Sequence, residues 1–203
     1  FGWLGLNSVS MLAALFACAK LHARFVPLNW RLAAQALRAI AEHAQLAAWH
    51  ADATFYARDG VAPSAELPHT GHDDLLLVYT SGTTGAPKGA LHTQAAMSAN
   101  IDAAIDAQDF DATTRTLAVL PLFHVGGLCI QVLPTLAAGG VVRLQPRFDA
   151  DAWFDDVAAW QPTTSLLVPA AMRALVEHGR WPQADLSSLR FVNSGSQIVP
   201  RSL

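Results

Sequence analysis

Charged side chains are scarce in this 203-residue sequence. Asp, Glu, Lys and Arg together make up 14%, whereas apolar residues reach 52%. An ordinary soluble domain carries about 25% charged residues. A membrane protein would account for the deficit, but it needs a run of about 18 apolar residues. None is present, since the best run, Val9 to Ala19, is closed by Lys20 and His22. No basic segment precedes that run, which argues against a secretory leader. Basic excess is lacking too. The net charge is −3, so nucleic acid is not expected as the main partner. Cysteine is almost absent: Cys18 and Cys129 stand far apart in apolar surroundings. They are expected as buried, reduced thiols of a cytoplasmic protein rather than a disulfide framework. The simplest account of the missing charge is a piece of a larger protein, whose other parts cover some of this surface. The lack of an initiator Met and the apolar ends of the chain fit that expectation.

What is present alternates between strand and helix patterns. Phe1 to Leu6, Arg24 to Leu28 and Leu46 to His50 read as strands, with a fourth at Thr54 to Ala57. Ser8 or Ser10 can cap a helix carrying Leu12, Leu15, Phe16 and Ala19, and Leu37, Ile40, Ala41 and Ala44 mark a second. Arg58 to Asp74 is rich in Gly and Pro and reads as an exposed connection. Its His69, His72, Asp73 and Asp74 could ligate a metal, but no second cluster completes a site, so no metal is assigned. Further on, Thr93 can cap a helix with Met97, Ile101, Ala104 and Ile105 on one face. Strands are expected at Arg115 to Leu120, Val141 to Leu144, Thr163 to Val168 and Leu189 to Asn193. Between them, helices are expected from Leu128 to Ala138, ended by Gly139-Gly140, and after Asp149, with Trp153, Val157 and Trp160 packed in the core. A last helix starts at Pro169 and carries Met172, Leu175 and Val176. This alternation predicts an α/β fold of layered sheets with flanking helices. Two portions are expected: residues 1–72 form a first α/β portion and connection, and 73–203 the portion that carries the chemistry.

The stretch LLLVYTSGTTGAPKG, Leu75 to Gly89, organises the rest. Leu75 to Tyr79 is an unbroken apolar run, as for a strand buried on both faces. It empties into Thr80, Ser81, Gly82, Thr83, Thr84 and Gly85, then Lys88. Four hydroxyls, two glycines that let backbone N–H groups approach a ligand, and one compact positive charge are suited to polyphosphate. The common P-loop spacing is not met, because Pro87 stands where its second glycine should be. Gly89 to His92 reads as a return strand, so no helix N-terminus aims at the anion.

YTSGTTGAPKG resembles the phosphate-loop signature of the adenylate-forming superfamily. That group includes acyl-CoA synthetases, aryl-CoA ligases, luciferases and peptide-synthetase adenylation domains. Two further stretches resemble it: Pro121-Leu122-Phe123-His124-Val125-Gly126-Gly127, and Ser194-Gly195-Ser196-Gln197-Ile198-Val199-Pro200. The resemblance covers nearly the whole chain and implies the large N-terminal domain of such an enzyme. Thr80, Ser81, Gly82, Thr83, Thr84 and Gly85 would wrap the β- and γ-phosphates of ATP, with Lys88 as a mobile counter-charge. His124 would line the carboxylate and acyl site with a conformational or polarising role. It would not be a general base, since an ionised carboxylate has no proton to lose before attacking phosphorus. Gly195, Ser196 and Gln197 would lie against the adenine and the acyl pocket, with Gln197 standing where Ala or Ser is more familiar.

The implied enzyme is an ATP-dependent acid–CoA ligase for a fatty or aryl acid, using ATP, Mg2+ and coenzyme A. An amino-acid adenylation domain, a luciferase-like oxygenase and a non-catalytic nucleotide-binding module stay open, as does a carrier protein as acceptor. Implied partners are the carboxylic acid and a C-terminal part of the same chain, with a homodimer left open. The family's aromatic-Gly-x-Thr-Glu segment, ribose-binding Asp, hinge and C-terminal adenylation lysine are not found in these residues. On that reading the chain alone is expected to be nearly inactive.

Overall fold

A computed structural model describes residues 1–51, 73–80, 88–195 and 197–200. The expected strand at 54–57 and most of the connection after it lie outside these residues. The chain divides into two compact units, Phe1–Ala99 and Asn100–Leu203. No helix among the described residues is long and apolar enough to cross a membrane.

The first unit begins with β1 (Gly2–Leu4), flanked in a parallel sheet by β2 (Val26–Leu28) and β3 (Trp49–His50). Between β1 and β2 runs α1 (Val9–Lys20), and Ser8 is its cap, its hydroxyl accepting from the Met11 amide at 3.2 Å. Met11, Leu12, Leu15 and Cys18 face inward, whereas Phe16, expected in that stripe, is exposed. The face is therefore centred on residues 11, 15 and 18, one position round from the pattern read in the sequence. In α2 (Ala34–His43), Ile40 joins Val26, Leu28 and Leu77 in one core cluster, with Leu37 and Ala44 packed against it.

β4 (Asp74–Thr80) is buried at four consecutive positions, Leu75 to Val78, so both of its faces are covered. The Phe25 amide donates to Leu75 O and the Leu77 amide to Phe25 O at 2.9 Å, which ties β4 beside β2. On its other side β4 pairs antiparallel with β5 (Lys88–Thr93), the expected return strand. Asp73 is engaged by His22, and Asp74 by Arg24 at 3.1 Å. His69 and His72 lie outside the described residues. Thr93 Oγ1 accepts from the Ala96 amide at 3.1 Å and so caps α3 (Gln94–Gln108).

The second unit is a four-stranded, all-parallel sheet in the order β7-β6-β8-β9. Its strands are β6 (Arg115–Ala118), β7 (Val141–Leu144), β8 (Thr164–Leu167) and β9 (Phe191–Ser194). On β6, Leu117 packs with Trp153, Phe154 and Val157 of α6 (Ala150–Trp160) and with Ala171 and Leu175 of α7 (Pro169–Val176). The opposite face presents Thr116, whose hydroxyl bonds to that of Thr135 at 2.6 Å. Helices thus cover both faces, as a parallel sheet requires. Asp149 caps α6 as expected, its carboxylate accepting from the Ala152 amide at 2.9 Å. Trp160 is half-buried and packs against this cluster, with the Arg115 guanidinium 4.4 Å over its ring. Phe154 adds a buried ring, and Val176 is exposed where an inward face was expected.

The helix expected from Leu128 starts three residues earlier and changes pitch. It comprises α4 (Val125–Gly127), a π-helical segment (Leu128–Val132) and α5 (Leu133–Ala137). Gly139 ends it at φ +80°, a conformation in which glycine carries no steric cost. Other helices end without that help: His22, Gln45, Asp109 and Gln161 follow α1, α2, α3 and α6 at φ 50° to 52°.

Left-handed backbone costs an L-residue about 1–2 kcal/mol, part of which glycine returns as unfolded-state entropy. Gln161→Gly should therefore stabilise the protein by about 0.5–1 kcal/mol, read as a rise of a few degrees in Tm. A second expectation follows from the buried cysteines. Burial pushes the Cys129 thiol up to about 11 and raises Cys18 as well. The unfolded chain, with thiols near 9, loses these protons first as pH rises, so stability should fall between pH about 9 and 11. Cys129→Ala should flatten that decline in urea titrations at several pH values.

Candidate active site

Thr80 and Lys88 are directly paired at the open end of the β4–β5 hairpin, and both are exposed. They bracket Ser81, Gly82, Thr83, Thr84 and Gly85, which lie outside the described residues. One step down the ladder, Tyr79 pairs with Gly89. A Cβ on Gly89 would come within 2.8 Å of Leu77 Cδ1 and 3.3 Å of Tyr79 Cζ, so the small residue lets the Tyr79 ring lie across the strand. The Tyr79 hydroxyl is 2.6 Å from His43 Nδ1, with the two rings edge to face. Partial burial pushes the Tyr79 phenol above its ordinary value. The hairpin is thereby anchored to α2. Sequence reading missed this anchor, because His43 and Tyr79 are 36 residues apart.

In the second unit the strand order reverses between β6 and β8: the chain moves outward to β7, then crosses back. In open parallel sheets ligands bind at the carboxyl ends of strands beside such a switch point. Two sequence-predicted stretches lie on that edge. The segment after β6 leads through Pro121 to His124, and β9 opens into Ser194 and Gly195.

His124 is exposed and caps α4. Its Nδ1 accepts from the Gly126 amide at 3.1 Å, and its carbonyl accepts from the amides of Gly127 and Leu128 at 3.0 and 3.1 Å. A ring nitrogen that accepts carries no hydrogen, so in this cap Nε2 is the nitrogen left to donate one. That hydrogen is available to an oxygen outside the turn. The Gly126–Gly127 step serves the chain itself at Gly127. A Cβ there would stand 2.2 Å from the Pro121 carbonyl oxygen and 2.9 Å from that of Leu120. Beneath this turn a cavity of about 10 Å³ is lined by Thr116, Ala118, Gly127 and Gln131 among others. At Gly195 a Cβ would meet nothing within 4 Å, so packing among the described residues does not explain its small size. Gln197 is exposed, and Ser196 lies outside the described residues.

Residues 45–203 match the model of the AMP-binding enzyme family. The chain belongs to that family. It is 43% identical to the indoleacetate–CoA ligase of Aromatoleum aromaticum, over 99% of this chain and 46% of the relative. It is 38% identical to the feruloyl-CoA synthase of an Amycolatopsis species, over 99% of this chain and 45% of the relative. The chain therefore spans about half the length of the curated relatives it matches. Among solved structures, the inhibitor-bound N-terminal domain of FACL13 from Mycobacterium tuberculosis superposes with a TM-score of 0.82 at 25% identity. That match covers 99% of this chain and 57% of the other. The layered α/β fold expected from the alternation of strands and helices is thus the fold of the N-terminal region of adenylate-forming enzymes.

Because the three atoms that would collide at Gly127 all belong to backbone, no rotamer change relieves them. Gly127→Ala should destabilise the protein by about 2–4 kcal/mol in chemical denaturation. Gly126→Ala, whose Cβ would meet only the His124 ring at 3.3 Å, should cost about 1 kcal/mol or less by comparison.

Proposed function

We propose that this chain supplies the phosphate loop and part of the acid pocket of an AMP-forming acid–CoA ligase, acting on an aromatic or arylalkanoic acid. The observation that carries the reading is the pairing of Thr80 with Lys88 at the mouth of the hairpin. It fixes both ends of the hydroxyl- and glycine-rich segment between them. The aromatic preference is supported by the similarity to ligases of indoleacetate and ferulate.

In the reaction a carboxylate oxygen attacks the α-phosphorus of ATP, and the bond to the bridging oxygen breaks to release pyrophosphate. The thiol sulfur of coenzyme A then attacks the acyl-adenylate carbonyl, loses its proton, and AMP leaves. Residues 80–85 would hold the β- and γ-phosphates through hydroxyls and backbone amides, while Lys88 offsets their charge. The Nε2–H of His124 would donate to a carboxylate oxygen and hold it for attack, which is a positioning and polarising task. Gly195, Ser196 and Gln197 would border the adenine and the acid. No group of three or more His, Cys, Asp or Glu gathers among the described residues. Magnesium would enter with the nucleotide, as Mg·ATP. Closure over the reacting phosphorus would come from the C-terminal part of the same protein, so residues 1–203 alone would be nearly inactive.

The test is carboxylate-dependent ATP–pyrophosphate exchange by the full-length protein. Its panel would hold indoleacetate, ferulate, benzoate, acetate, a long-chain fatty acid and several amino acids. Exchange with an aromatic acid is expected, lowered about 10²-fold by Lys88→Ala and at least tenfold by His124→Ala. Exchange with amino acids alone would move the reading to an adenylation domain. Measurable ATP binding without exchange for any acid would replace it with a non-catalytic nucleotide-binding module. Acyl-adenylate formation by residues 1–203 alone would overturn the dependence on a closing domain.

A further inference from the structure

The helix capped by His124 contains a proline where a regular α-helix needs a donor. An amide at position 134 would bond to the carbonyl of Ile130, and Pro134 has none. The π segment displaces a second acceptor. The Leu133 amide reaches five residues back to the Leu128 carbonyl, which leaves Cys129 O without the donor an α-helix would give it. Side-chain amides of α3 take both carbonyls. Asn100 Nδ2 donates to Cys129 O at 2.9 Å, and Gln108 Nε2 donates to Ile130 O at 2.8 Å.

Gln108 uses the other end of the same amide for a different element. Its Oε1 accepts from Asn193 Nδ2 at 2.6 Å and, at 3.4 Å, from Gln131 Nε2. Asn193 lies in β9 directly before Ser194 and Gly195. Gln131, only 2% exposed, belongs to the π segment and also donates to Thr164 Oγ1 of β8 at 2.9 Å. The orientation of the Gln108 amide is over-determined. Its NH2 faces the carbonyls of Ile130 and Ala104, so its oxygen faces the two amide donors. A planar amide cannot shift one end without carrying the other.

We propose that Gln108 is a positioning residue that holds the His124-capped helix in register with the end of β9. One amide thereby sets the spacing between the imidazole and the Ser194–Gly195 turn. The catalytic consequence rests on the ligase reading, whereas the mechanical coupling does not.

Hydrogen exchange followed by mass spectrometry on the full-length protein separates the two. Gln108→Met removes every one of these bonds at similar volume. Exchange should quicken at least fivefold both in peptides covering residues 128–137 and in peptides covering 191–200, with α6 and α7 unchanged. Asn193→Ala should quicken only the second region. Gln108→Glu, which keeps an acceptor for Asn193 but loses the donor to Ile130, should quicken only the first. These two variants carry the test should Gln108→Met fail to fold. A uniform rise along the whole chain, or a rise at 128–137 alone in Gln108→Met, would overturn the coupling. In kinetics, Gln108→Met should raise KM for the acid and for ATP about tenfold while kcat stays within about twofold. Unchanged KM values in an active enzyme would overturn the positioning role. Absence of exchange activity in the unsubstituted protein would instead count against the ligase reading, leaving the hydrogen-exchange test intact.

Discussion

Contact between the Gly127 backbone and the Pro121 carbonyl sets the working edge of the second unit. At that separation no side chain fits, so the segment leaving β6 turns back hard against the first turn of the next helix. The turn delivers His124 to the capping position, and capping in turn fixes which ring nitrogen carries hydrogen. The helix then passes from α4 into the π segment before α5. A close backbone approach, a capping imidazole and a set of carbonyls that need outside donors thus follow one another along this edge.

Polar groups inside this unit are placed by the same logic. Buried amides and hydroxyls must find partners or carry a desolvation penalty of about 1–3 kcal/mol each. The Thr116 and Thr135 hydroxyls and the Gln131 amide nitrogen find theirs across elements rather than within one. Such bonds are directional, whereas the apolar contacts of Leu117, Trp153 and Leu175 on the other face are not. On the Thr116 face these bonds add direction to the packing of Val132 and Leu166, and the sequence-predicted residues emerge at the edge of the sheet.

Much of the fold was legible in the sequence because it rests on local signals. Ser8, Thr93 and Asp149 were readable as caps, Gly139 as a helix end, and the Leu75–Val78 run as a strand covered on both faces. Helix faces were less legible. Phe16, Trp160 and Val176 fit a periodic stripe, but tertiary packing rotated α1 by one position and laid Arg115 over Trp160. The start of the His124 helix was missed because glycine is a weak helix former, and the backbone approach of Pro121 explains why it stands in the first turn. At the candidate site, residue types and order were legible. The Tyr79–His43 anchor and the amide hub at Gln108 were not, since they join residues 36 and 85 positions apart.

The β4–β5 hairpin has a further consequence. β5 is exposed along most of its length, carries Leu91 at 45% exposure, and pairs among the described residues with β4 alone. Among the described residues its outer rim carries no third strand, and a row of peptide groups of that kind is a template on which another chain can add a strand. Lys88 and the short length of the strand weigh against such pairing. Resistance to association in this family member therefore draws on one six-residue strand and the charge at its start.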